Sequence, residues 1–146
     1  MEPLLATRYV FTITAHVAGI VSAGDIGVGE RRIIPIVGGE VRGRDINGKV
    51  CAFGADFQIV RPDSSIELEA KYALETDDGA VIYVENRGIR RGPAELVKKL
   101  NRGEAVDPAL IYFRTVAVHR RRRAPSRSRR DRGFRCGMSA SGRHQV

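Results

Sequence analysis

The chain has no tryptophan, only two cysteines and only three histidines in 146 residues. Each shortage excludes something. Cys51 and Cys136 stand far apart, and neither has a second cysteine nearby to begin a zinc knuckle or a CxxC pair, so both read as reduced thiols of a reducing compartment. His16, His119 and His144 are too scattered to form a pair with metal-ligand spacing, and neither a metal nor a cofactor is expected. There is no GxSxG motif, and Ser22, Ser64 and Ser65 have no candidate base close in sequence, which removes triad-type nucleophilic catalysis. No apolar run is long enough to cross a membrane. The stretch YVFTITAHVAGIVSAG after Arg8 is interrupted by Thr12, Thr14 and His16 and alternates like a strand rather than an export signal, so the expected location is the cytoplasm.

Acidic residues are also missing from one end. Residues 1–115 carry 15 Lys+Arg and 16 Asp+Glu, a net charge of −1, whereas residues 116–146 carry 10 arginines and a single acid, Asp131, a net charge of +9. The net charge of +8 therefore belongs to the tail. The length suits one domain with its own core and is too short for two, so the expected organisation is a folded domain over 1–115 and a disordered basic tail over 116–146.

What is present in the body is β-structure. In RYVFTITAHV, Val10, Thr12 and Thr14 alternate with Tyr9, Phe11 and Ile13, the period of a half-buried strand. ERRIIPIVGGEVRGRDINGKVCAFGADFQIV holds several more strands, which we expect to be divided at Gly38-Gly39, at the hairpin-favouring Asn47-Gly48 and at Gly54. The glycines of GVGE read as turn formers, because no helix follows to make a phosphate cradle.

SIELEAKYALETDDGAVIYVEN is the clearest hairpin. A two-residue loop at Asp78-Gly79 would set Glu75 opposite Ile82 and Tyr72 opposite Glu85, mixing charge with apolar surface. A three-residue loop, Asp77-Asp78-Gly79 with a left-handed glycine, sets Leu74 opposite Ile82, Tyr72 opposite Val84 and Lys71 opposite Glu85. One face then carries Ile66, Leu68, Ala70, Tyr72, Leu74, Ile82 and Val84 and ends on Asn86. The other is charged. RGPAELVKKLNRG predicts one short helix, with Pro93 at its start, Glu95 in its first turn, Lys98 and Lys99 late and Gly103 as its stop. PALIYFRT begins a further strand. After Thr115 the alternation ends.

Many short antiparallel strands and one helix suggest a mainly β chain: a small antiparallel β-barrel, incomplete if its closing strands are missing. The motifs RRIIPIVGGEVRG, GADFQIVRPD, YALETDDGAVIYVENRG and YFRT resemble the DUF3237 (UPF0311) family of small bacterial and fungal proteins, over roughly residues 5–115. The resemblance implies a compact β-barrel whose interior has room for a small molecule. It also implies an aromatic-rich stretch and further strands after YFRT, where this chain has VAVHRRRRAPSRSRRDRGFRCGMSASGRHQV. A reading-frame shift just after Thr115 accounts for that departure; a genuine disordered basic tail is the alternative.

The candidate site follows from polar residues on strands that face the interior. Asp56 and Gln58 share a face, Tyr72 and Asn86 lie on the apolar face of the hairpin, and Arg114 shares a face with Tyr112. Asp56 is the candidate base, Tyr72 and Arg114 the candidate stabilisers of an enolate-like oxyanion, and Gln58 and Asn86 the candidate ligand contacts. Asp77 and Asp78 read as turn formers.

Three functions stay open at this point. The first is a small-molecule barrel, with or without an isomerase, hydratase or lyase reaction. The second is an inactive barrel without closing strands. The third is non-specific nucleic-acid binding through the tail, since the acidic or neutral sheets lack the exposed aromatics of a sequence-reading module. The expected partners are an unknown small-molecule ligand, no specific nucleic acid, no membrane, and a second copy pairing through exposed sheet edges.

Overall fold

The computed structural model describes residues 8–121. Seven antiparallel strands and one short helix occupy them: β1 (Phe11–Val17), β2 (Val21–Asp25), β3 (Glu30–Gly43), β4 (Gly48–Val60), β5 (Ile66–Thr76), β6 (Val81–Arg91), α1 (Ala94–Asn101) and β7 (Tyr112–Arg121). All strands belong to one sheet in the order β1-β3-β4-β5-β6-β7, and β2 continues beside β3 past the end of β1. The sheet curls until its end strands approach. The Phe11 ring of β1 meets the His119 ring of β7 edge-on, centroids 5.4 Å apart, while no hydrogen-bond ladder joins the two strands among the described residues. The result is a curled half-barrel.

The β5–β6 hairpin has the expected register. Leu74 pairs with Ile82, Tyr72 with Val84 and Lys71 with Glu85. Gly79 adopts φ +80° in the loop, and its N–H donates to the Thr76 carbonyl at 2.8 Å. The apolar face of this hairpin forms the core: Tyr72, Leu74, Ile82 and Val84 pack with Ile36, Val41 and Val50 of β3 and β4, and Phe11, Ile13 and Ala70 pack around them. Each large side chain buried there stabilises the fold by about 1.5–3 kcal/mol.

Three expectations need correction. Gly38-Gly39 and Gly54 do not divide strands; β3 and β4 run through them as long strands whose registers slip there. The physical reason is that an alternating strand absorbs a glycine as a bulge when the backbone turns to positive φ, and Gly39 and Gly54 do so at +135° and +120°. A Cβ on either would strike a carbonyl of the neighbouring strand, Thr14 O and Lys71 O respectively. The hairpin near Asn47-Gly48 exists, but residues 44–47 form the link and Gly48 already belongs to β4. Asn47 closes that link by accepting the Gly43 N–H at 3.2 Å.

The third correction concerns the expected end of the fold at Thr115. Strand β7 continues to Arg121, with Val116 opposite Arg87 and Val118 opposite Glu85. Strand pairing is made by the backbone, and the β-branched Val116 and Val118 favour it even where no apolar inner face continues. Residues 122–146, on which the disordered tail and the reading-frame shift were expected, lie outside the described residues. Helix α1 begins after Pro93, buries Val97 and ends before Gly103 at φ +77°. No helix among the described residues is long and apolar enough to cross a membrane.

Candidate functional site

The register of the sheet assembles the site rung by rung. Asp56 of β4 lies beside Ala70 of β5, Ala70 beside Asn86 of β6, and Asn86 beside Ala117 of β7. Ala70 packs on the core, so this rung faces the concave wall. Two residues along each strand, the next rung carries Arg32, Gln58, Leu68, Gly88 and Thr115. The one after it carries Val60, Ile66, Arg90 and Phe113. In the opposite direction, Gly54, Tyr72, Val84 and His119 form the rung that opens onto the apolar core. Side chains two apart on a strand point to the same side, so Asp56, Gln58, Tyr72, Asn86 and Arg90 share one wall.

Four of the five expected site residues are thus brought together, and Arg114 is not. It pairs with Ile89, on the convex side of β7, where its guanidinium lies 5.4 Å from the centroid of the Tyr112 ring and donates to the Phe113 carbonyl at 2.8 Å. The oxyanion-stabilising role expected of Arg114 has no geometric support. Arg90 occupies the wall in its stead. It was within reach of the sequence: the alternation that places Asn86 on the apolar face places Arg90 there four residues later.

The cluster carries charged groups that burial has taken from water. Gln58 is buried and donates from Nε2 to Asp56 Oδ2 at 2.7 Å. Burial nevertheless pushes the Asp56 carboxyl above its ordinary range, with the Gln58 amide, the backbone N–H of Glu69 and the charge of Arg90 only partly opposing it. Burial likewise lowers the basicity of Arg90, which donates from Nη2 to Asn101 Oδ1 of α1 at 3.2 Å. Burial also raises the Tyr72 hydroxyl. Arg32 on the neighbouring rung pairs with Glu30 at 2.7 Å. Among the described residues, three buried atoms of the cluster have no hydrogen-bond partner: Asp56 Oδ1, Asn86 Oδ1 and Arg90 Nε. A buried polar atom without a partner costs about 1–3 kcal/mol, so three on one wall stand out.

Two surface concavities lie elsewhere. One, of about 530 Å³, is lined by Arg91, Gly92, Leu110, Tyr112 and Arg114 among others, and the other, of about 270 Å³, lies between the turns that carry Asp45 and Asp77. Neither touches the cluster. Asp77 and Asp78 sit in the β5–β6 turn, Asp78 accepting from the Thr76 hydroxyl. No group of three His, Cys, Asp or Glu side chains is placed to hold a metal among the described residues.

These features define a class: a small, curled antiparallel β-barrel with a polar cluster on its concave wall. Residues 5–120 match the family described as "Protein of unknown function (DUF3237)", and the chain belongs to that family. It is 70% identical over 115 residues to a UPF0311 protein of Rhodopseudomonas palustris, a match covering 79% of this chain and 75% of the relative. It is 65% identical over 116 residues to a UPF0311 protein of Bradyrhizobium diazoefficiens, covering 80% and 76%. Among solved structures it is similar to a conserved protein of unknown function from Rhodopseudomonas palustris, with TM-score 0.79, 65% identity and 82% and 79% of the two chains covered. It is also similar to a β-barrel-like protein from Acinetobacter baumannii, with TM-score 0.60, 34% identity and 80% of each chain covered.

Proposed function

We propose that the concave wall binds a small polar molecule over the rung of Asp56 and Asn86, with its carbon skeleton against Tyr72 and Ala70. The observation that carries this reading is the set of three unpartnered buried atoms, two acceptors and one donor, beside an apolar floor. Binding pockets orient ligands with such sparse polar groups set in apolar surroundings. If chemistry takes place, the raised Asp56 carboxyl is the acid–base group and the Arg90 guanidinium stabilises a developing oxyanion, as an isomerase, hydratase or lyase requires.

The test is a thermal-shift and calorimetric screen with small hydroxylated and carboxylated cyclic compounds, each at about 1 mM, a concentration at which even weak millimolar ligands bind measurably. Hits should lose at least about tenfold in affinity in Asn86→Ala, a loss of the size expected for one buried hydrogen bond. Hits that bind Asn86→Ala and Arg90→Met as tightly as the parent would remove the site from the wall.

A second reading, an inactive barrel without closing strands, is favoured by one observation: Phe113 and Val116 of β7 are 47% and 72% exposed. A screen that returns no ligand for this chain, but returns one for a UPF0311 relative, would select it.

A further inference from the structure

Strand β7 is ten residues long and, among the described residues, hydrogen-bonds to a neighbour on one side only, β6. It has neither glycine nor proline to blunt its open edge, and Phe113, Val116 and Val118 stand exposed on its two faces. Exposed, regular edges of this kind pair with other chains. We propose that two copies of this chain join β7 to β7, antiparallel, about a twofold axis at Val116.

Charge selects both occupant and register. For the convex faces of the two sheets to run on continuously, paired residues must share the same side of the sheet, which places the axis on a residue rather than between two. An axis at Val116 sets Tyr112 opposite Arg120, Phe113 opposite His119, Arg114 opposite Val118 and Thr115 opposite Ala117, nine residues without like charges directly opposed. An axis at Ala117 sets Arg114 against Arg120 of the second copy; an axis at Thr115 shortens the ladder to seven residues. Like charges directly opposed across a strand pair are unfavourable, whereas an aromatic ring facing arginine is favourable. The Val116 axis is the longest register with no two arginines directly opposite, Arg114 and Arg120 of the second copy being diagonal neighbours.

The other occupants fit less well. The chain's own sequence from Arg122 onward is arginine-rich, carries Pro125 and has no alternation, so a strand made from it would set arginines beside Arg114 and Arg120. Strand β1 of another copy has seven residues and would give a head-to-tail contact that does not close.

Sedimentation velocity of the full chain from about 1 to 200 µM, a range that brackets micromolar association, reads the proposal directly. The expected result is a concentration-dependent shift from one chain to two and no further. Val116→Lys leaves the protomer intact, because that side chain is 72% exposed, and weakens the dimer at least about tenfold by opposing two lysines on the axis. In a Cys136→Ser background, Val116→Cys should form an interchain disulfide on mild oxidation, since facing strand residues lie within disulfide reach. Val118→Cys should not, because it faces Arg114. A monomer throughout, a dimer indifferent to Val116→Lys, assemblies larger than two, or equal cross-linking at 118 would each overturn the proposal.

Discussion

The two halves of the concave wall lie on the same strands and obey the same alternation, yet they behave differently. Toward the β5–β6 turn, Leu74 and Val84 are 1% and 0% exposed, and the wall is filled by carbon. Toward the other end, Asp56, Asn86 and Arg90 occupy equivalent inward positions and leave three buried atoms without partners. On β5 and β6 the register runs unbroken through both halves, and it is the residue type that changes. On β4 and β6 the wall passes from packing to polar chemistry beyond Tyr72, whose ring belongs to the core and whose hydroxyl is raised by burial, while β5 stays apolar to the fully buried Ile66.

Substitutions in the two halves should therefore separate stability from binding. The largest effect is expected for Leu74→Ala, which removes a fully buried side chain from the packed half and should lower unfolding stability by about 2–5 kcal/mol in chemical denaturation. Its fraction still folded should bind any ligand of the polar half normally. Next comes Gly54→Ala, at the bulge that separates the halves on β4. Positive φ and the closeness of the Lys71 carbonyl should together cost about 1–3 kcal/mol and displace Asp56, so stability and binding fall together.

The smallest effect has the opposite sign. Below the unfolded carboxyl range Asp56 is neutral in both states and its burial does no harm. As pH rises, the unfolded chain ionises first, because the folded pKa is raised, and stability is lost up to and through that folded value. Asp56→Asn should therefore melt higher at neutral pH, with no gain at pH well below the carboxyl range, while losing ligand affinity. A neutral-pH destabilisation by this substitution would mean that the carboxylate is well served in the empty fold.

Much of this fold is legible in the sequence where alternation is unbroken. The β5–β6 register could be argued from Leu74, Tyr72 and Lys71, because a one-residue slip would have inverted every side chain. Alternation is less informative at glycine. Gly38-Gly39 and Gly54 carry the same local signal whether the chain turns or bulges, and only the neighbouring strand's carbonyl, distant in sequence, distinguishes the two. The site shows the same limit. Asp56, Gln58 and Asn86 could be assigned to one wall by parity within strands, but Arg114 was grouped with them through Tyr112, whose own side depends on how β7 pairs with β6. That pairing puts Arg114 on the convex face. Arg90 needed only the Asn86 alternation carried one glycine further.

The most direct test of a polar site on the concave wall is a nitrogen-15 spectrum of the Asn86 side-chain amide and the Arg90 Nε–H, followed as ligands from the screen are added. The account predicts that a true ligand shifts both signals together, saturably and with the same affinity, while the backbone amides of Leu74 and Ile82 stay in place. Ligands that bind with neither signal moving would contradict it.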